Sequence, residues 1–212
     1  MKNIVVLISG SGSNLQAILD ATANDQNGRV VGVLSNKENA FGIERAKKVG
    51  IDTAVIDHTR FESRLAFDYA LIEQIDAWQA DLVVLAGFMR ILTNEFVQHF
   101  SGRLLNIHPS LLPKYKGTNT HQRALDAGDA EHGCTVHFVS EELDGGAAII
   151  QAATRVERGD TVDSLINKVH KLEHQIYPIA ISWFASERIT LENNRVYLDG
   201  SPLADTGYLY RV

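Results

Sequence analysis

In RLLNIHPSLLPKYKG, residues 103–117, an asparagine and a histidine stand two apart and a proline follows. Residues two apart on a strand share a face. If the apolar run 104–107 is a strand, Asn106 and His108 therefore project together. Pro109 holds His108 to extended backbone. An amide donor beside a group that gives or takes protons near neutral pH can hold a developing oxyanion and move a proton. The plainer structural reading is a strand end capped by polar side chains. Asp144, in EELDGG, is the acid that would complete the set, since its charge would favour imidazolium at a nearby His108. Asp-Gly between two strands is also a hairpin signal, so Asp144 can equally be a turn residue.

A second chemical stretch is SGSGSN, residues 9–14, placed between a strand-like run and a helix-like run. The start of a helix presents free N–H groups and attracts anions. Gly10 and Gly12 permit a tight turn, and Ser13 and Asn14 add side-chain donors. Leu15 stands where a dinucleotide fingerprint needs Gly or Ala, and Ser35-Asn36 where it needs an acid. No Gly-Lys-Ser/Thr follows. The loop suits one phosphate, and a capped tight turn is the bland alternative. His132, Cys134 and His137 are close in sequence but lack paired metal-ligand spacing, so no metal is expected. Cys134 has no base beside it in sequence and is a weak nucleophile.

These residues need elements to position them. NIVVLIS, RVVGVLS, DTAVI, DLVVLAGF and RLLNI read as strands, the first two buried on both faces. SNLQAILDATAND (apolar at Leu15, Ile18, Leu19), AFGIERAKKVG (stopped by Gly50) and TNEFVQHFSG (opened by a Thr cap) read as helices. SRLAFDYALIEQIDAWQA reads as an amphipathic helix, apolar at Leu65, Tyr69, Leu71, Ile72, Ile75 and Trp78. Strands alternating with helices predict an α/β fold with a doubly wound, mostly parallel sheet. Ligands of such sheets bind at the carboxyl ends of the strands, where Asn106 and His108 fall.

After residue 108 the texture changes. HPSLLPKYKGTNT is a loop, HQRALDAG a short helix, GCTVHFVS and AAIIQAATRV strands joined through EELDGG. TVDSLINKVHKLEHQIYPIAISWFASE is a long helix with Pro178 inside it or at a break. RITLENNRVYLDG is a terminal hairpin turning at Asn193-Asn194. The expectation is one domain, 1–212, with a parallel half (1–108) and a mixed half (109–212).

Composition bounds the function. The 212 residues carry a formal charge of -6, with 45% apolar and 22% charged residues and a single cysteine. An acidic chain argues against a nucleic-acid surface, and one cysteine excludes an internal disulfide. The amino-terminal apolar run spans only about six residues, short for a signal peptide. No segment approaches the ~20 apolar residues of a membrane span. A cytoplasmic protein is expected, with no membrane partner.

Taken together, ISGSGSNLQAI, LAGFMRIL, NIHPSLLPKYKG and GCTVHFVSEELDGGAAIIQ resemble the glycinamide ribonucleotide formyltransferases, from the first strand through Pro178. HPSLLPKYKG alone marks the wider formyltetrahydrofolate-using superfamily. The resemblance implies formyl transfer from 10-formyltetrahydrofolate to the amine of 5'-phosphoribosylglycinamide in purine synthesis. It implies a catalytic set of Asn106, His108 and Asp144. It places Gly12, Ser13 and Asn14 on the ribonucleotide phosphate, Glu173 on the ribonucleotide, and His170 as its neighbour. Met89, Arg90, Ile91 and Leu92, with Ser140, Glu141, Glu142, Leu143, Asp144 and Asn106, would form the folate pocket. Arg64 and Arg90 would meet the folate's glutamate tail. Oligomeric state is left open between monomer and homodimer.

Three other readings compete. Methionyl-tRNA formyltransferases share the His-Pro-Ser motif but are expected to carry a further RNA-binding domain. Formyltetrahydrofolate deformylases are expected to carry an additional amino-terminal domain. A phosphate-ligand binding module would not need the Asn106, His108 and Asp144 set.

Overall fold

The computed structural model describes residues 1–211. The chain falls into two compact units, Met1–Asn106 and the remainder from Ile107.

The first unit alternates strand and helix: β1 (Lys2–Ile8), α1 (Ser13–Thr22), β2 (Gly28–Ser35), α2 (Phe41–Lys48), β3 (Asp52–Val55), a 3-10 turn (His58–Arg60), α3 (Arg64–Ala77), β4 (Leu82–Leu85) and α4 (Asn94–His99). β5 (Leu104–His108) starts in this unit and ends in the next. Strands run parallel in the order β5-β4-β1-β2-β3. Ile4, Val5, Val6, Leu7 and Ile8 are all fully buried, so β1 is covered on both faces. Burying one such side chain stabilises by about 1.5–3 kcal/mol.

α1 buries Leu15, Ile18 and Leu19 as its spacing predicts. Gly50, at φ 74°, ends α2's turn, and Thr93 caps α4 by accepting the Phe96 N–H. α3 departs from expectation. Its buried face is Phe67, Asp68, Leu71 and Ile75, while Leu65 and Tyr69 are exposed. Phe67, Leu71 and Ile75 recur every four residues, one helical stripe. Leu65 and Tyr69 lie off it, and polar Asp68 takes a core position. Trp78 lies against β2 where Gly32 has no side chain, and a Cβ there would meet its ring.

The second unit holds α5 (Thr120–Asp126), β6 (Glu131–Phe138), β7 (Ala148–Arg155), α6 (Val162–Ala185), β8 (Ile189–Glu192), β9 (Arg195–Leu198), β10 (Ser201–Pro202) and β11 (Tyr208–Tyr210). β6 and β7 are antiparallel, and β11 joins β7 in parallel. β8, β9 and β10 form a separate antiparallel sheet. Asn193 and Asn194 both take positive φ, 50° and 60°, the geometry of a two-residue hairpin turn. α6 opens on a reciprocal Thr161/Ser164 capping box and runs unbroken through Pro178. It packs on β6 and β7 and buries Leu165, Val169, Leu172, Ile176 and Tyr177 among others. The parallel first half and mixed second half are as predicted. β10 and β11 were not. Among the described residues no helix is long and apolar enough to cross a membrane.

Candidate active site

In the second unit, His108 closes β5 and is buried, 5% exposed. Its Nε2 lies 2.9 Å from the Tyr115 carbonyl oxygen. A carbonyl only accepts, so this bond requires the proton on Nε2. Its Nδ1 lies 3.4 Å from Asp144 Oδ2. The same Oδ2 accepts the Gly117 N–H at 2.8 Å. Asp144 is therefore not the turn of a tight hairpin. β6 and β7 are joined by residues 139–147, and Asp144 sits in that loop at φ 48°. Gly146 has backbone against the Phe138 carbonyl, which leaves no room for a Cβ.

The loop that supplies the Tyr115 carbonyl is strapped to the sheet. Thr135 Oγ1 donates to the Ser110 carbonyl at 2.7 Å and accepts the Leu112 N–H at 3.1 Å. Gln151 Nε2 donates to the Leu112 carbonyl at 2.7 Å. The Tyr115 hydroxyl donates to Asp129 at 2.8 Å, and Lys114 Nζ bonds the same carboxylate.

His137 belongs to this group although its strand position suggests plain core. Its Nε2 stands 3.9 Å from Asp144 Oδ1. Its Nδ1 meets the Phe138 carbonyl at 2.8 Å. Burial is the main cause that pushes its pKa down to about 4, against the Phe138 bond and the Asp144 charge. It is thus a neutral ring at the carboxylate's other oxygen. A signal existed: β6 alternation puts His137 on the face of Thr135, which holds the His108 loop.

His132, weighed above only as a metal ligand, pairs with His121. Their rings meet at 3.1 Å between Nδ1 and Nε2. Burial, then the charges of His132, His170 and His108, push His121 down to about 4. His170 stacks on His174 with centroids 6.3 Å apart on α6. Glu173, between them in sequence, is a buried acid. Cys134 is fully buried, and burial, then the Glu173 charge, raise its thiol well above the ordinary range. That excludes a ready thiolate. Among the described residues no group of three or more His, Cys, Asp or Glu is arranged to hold a metal.

Ser140, Glu141, Glu142 and Leu143 lead into Asp144. Leu143 is exposed, and Glu142 pairs with Lys116 at 2.7 Å.

The first unit holds the other predicted residues. Gly12 has φ 70° and precedes α1 without any side-chain cap. A Cβ on it would lie 2.7 Å from Gly42 Cα. Ser13 and Asn14 are the first two residues of α1, and Asn14 is buried. Ser9, where β1 ends, donates to Asn36 Oδ1 at 2.6 Å and accepts the Met89 N–H at 2.8 Å. It thereby ties the glycine loop to residues 87–92. In that segment Met89 and Ile91 are 75% and 63% exposed, unusual for large apolar side chains. Leu92 is half-buried. Arg64 donates to the Ile91 carbonyl at 2.9 Å, and the Asp68 carboxylate accepts the Thr93 N–H at 2.6 Å. Burial raises the Asp68 pKa, with the Thr93 bond opposing. Arg90 lies over the Phe67 ring, 5.8 Å from its centroid. Arg64 is thus a strut of this segment as well as a surface cation. Asn106 sits in β5, opposite Leu85 of β4.

The family model for formyl transferase matches residues 2–181. The chain is 56% identical over 207 residues to a phosphoribosylglycinamide formyltransferase of Escherichia coli (strain K12), covering 97% of this chain and 98% of that one. It is 48% identical to the Haemophilus influenzae protein of the same name, covering 98% and 99%. Among solved structures, the phosphoribosylglycinamide formyltransferase of Coxiella burnetii superimposes with a TM-score of 0.95 at 50% identity, covering 99% of both chains.

Proposed function

We propose, for a chain that belongs to the formyl transferase family and within it to the phosphoribosylglycinamide formyltransferases, that its formyl donor is 10-formyltetrahydrofolate and that Asn106, His108 and Asp144 carry the transfer. The acceptor is the glycinamide amine of 5'-phosphoribosylglycinamide, in purine biosynthesis. The observation that carries the catalytic reading is the buried His108 ring held between the Tyr115 carbonyl and the Asp144 carboxylate.

The neutral amine attacks the formyl carbon and its oxygen gathers negative charge. That oxyanion is a stronger acceptor than a neutral carbonyl, since charge-assisted bonds are roughly twice as strong. The His108 Nε2–H turns from Tyr115 to the oxyanion, and the Asn106 amide adds a second donor. Asp144 faces Nδ1 and orients the ring. The amine nitrogen then loses a proton and the folate nitrogen gains one, through water and the His108–Asp144 pair. The carbon–nitrogen bond to the folate breaks, leaving tetrahydrofolate and the formylated ribonucleotide. No covalent formyl-enzyme is needed, and the raised Cys134 thiol offers no route to one.

The same reading assigns the ribonucleotide phosphate to Gly12, Ser13 and Asn14, with Glu173 and His170 toward the ribonucleotide. The folate ring system is assigned to the segments 89–92 and 140–144, supported by the exposed apolar Met89, Ile91 and Leu143. The test is donor consumption by the purified protein. It should require the ribonucleotide and vanish in His108→Ala. Steady consumption without the ribonucleotide would make the activity a hydrolysis and refute the proposal.

A further inference from the structure

Three successive carbonyls of the glycine loop have fixed partners. The Gly10 carbonyl accepts the Gly42 N–H at 3.1 Å, and the Gly12 carbonyl accepts the Gln16 N–H at 2.9 Å. Between them, the Ser11 carbonyl accepts from Arg45 Nε at 2.9 Å. In a planar trans peptide the C=O and the following N–H point in opposite directions. Fixing these oxygens therefore aims the N–H groups of Ser11, Gly12 and Ser13 the other way. Two of the three anchors are backbone groups. Arg45 is the single side chain among them.

Arg45 is itself held in place. Its Nη1 donates to Gln16 Oε1 at 3.0 Å, and its guanidinium lies over the Phe41 ring, 5.0 Å from the centroid. The backbone of α2 also abuts the loop, because a Cβ on Gly12 would lie 2.7 Å from Gly42 Cα. The guanidinium thus meets a carbonyl of the loop with its cationic fork already oriented by Gln16 and Phe41. Nothing in this arrangement requires Arg45 to touch a ligand.

We infer that Arg45 is a positioning residue for ribonucleotide binding: by holding the Ser11 carbonyl it aims the Gly12 N–H at the phosphate. This rests on the phosphate reading of the loop proposed above. The role differs from simple attraction of an anion. A lysine would keep the charge but lacks the planar fork that engages Ser11 and Gln16 together.

The experiment compares the wild-type protein with Arg45→Gln, Arg45→Lys and Gly12→Val, each confirmed folded by circular dichroism. KM and kcat are measured with the ribonucleotide and with glycinamide riboside, which lacks the phosphate. Arg45→Gln should raise the ribonucleotide KM roughly ten- to hundredfold, the scale of one charge-assisted hydrogen bond. Its kcat and its KM for the folate should stay within about twofold, the signature of lost uniform binding. Its KM for the riboside should not move, so discrimination for the phosphate shrinks. Arg45→Lys should recover only part of the loss. Equal losses for both acceptors, or full recovery by lysine, would overturn the inference. So would an unchanged Arg45→Gln beside a damaged Gly12→Val, and that outcome leaves the phosphate reading intact. An unchanged ribonucleotide KM in Gly12→Val would overturn the phosphate reading and this inference with it.

Discussion

Asp144 Oδ2 lies 3.4 Å from His108 Nδ1 while accepting the Gly117 N–H at 2.8 Å. The carboxylate therefore orients the ring and is itself oriented by the loop that carries the ring's other partner, Tyr115. Groups tied in this way act as one. Asp144→Asn keeps the shape and removes the charge, and kcat should fall by ~10²–10⁴, the scale of positioned acid–base groups. The double variant with His108→Ala should be little worse than the worse single variant. Losses that multiply would show two independent contributions.

Gly12 is constrained by the protein as well as by any anion. At φ 70° an L side chain is strained, and its Cβ would meet Gly42. Gly12→Val should cost on the order of 1–2 kcal/mol from the left-handed conformation alone, with the clash added, and should abolish ribonucleotide binding. The structure puts the first obstruction at the backbone of α2. Calorimetric titration with each substrate decides the point: folate binding should survive and ribonucleotide binding should not.

How much was legible follows from where the information lies. β1 and β5 are short apolar runs whose burial needs no distant partner to be guessed. Asn106 and His108 stand out because period-two alternation and Pro109 act locally. Asp68 did not, because the N–H that satisfies it belongs to Thr93, 25 residues later. Leu65 and Tyr69 misled because apolar type alone does not say which stripe of α3 is covered. β11 is three residues whose pairing is with β7, more than fifty positions earlier. His137 looked like core and is core, yet its Nε2 faces Asp144 across 3.9 Å. That distance depends on the 139–147 loop folding back, which no spacing encodes.

Acid should destabilise the protein through His137, which is buried, and His121, which is half-buried. His121 and His137 are held neutral down to about 4, whereas in an unfolded chain each takes up a proton near 6.5. Between those values the unfolded state binds more protons, so stability falls as pH falls. The melting temperature should drop steadily from pH 6.5 toward 4. His121→Gln and His137→Gln should each flatten that slope, whatever they do to stability at neutral pH. A variant with the wild-type slope would remove its histidine from the explanation.

Arg64 should affect folate through the segment it braces. Losing its bond to the Ile91 carbonyl loosens the residues that present Met89 and Ile91. Arg64→Ala should raise the folate KM and leave saturated turnover nearly unchanged, since exposed charges contribute only ~0–1 kcal/mol by themselves. A collapse of kcat with an unmoved folate KM would contradict the placement of the folate at residues 89–92.

The most direct test is a single turnover with donor carrying a labelled formyl carbon and enzyme in excess over both substrates. Mass spectrometry then follows the label in the ribonucleotide, in formate and on the protein. The label should pass to the glycinamide nitrogen in the wild-type protein and stay on the donor in His108→Ala and when the ribonucleotide is withheld. Label released as formate without the ribonucleotide, or found on the protein before the acceptor is added, would contradict direct transfer at the His108–Asp144 pair.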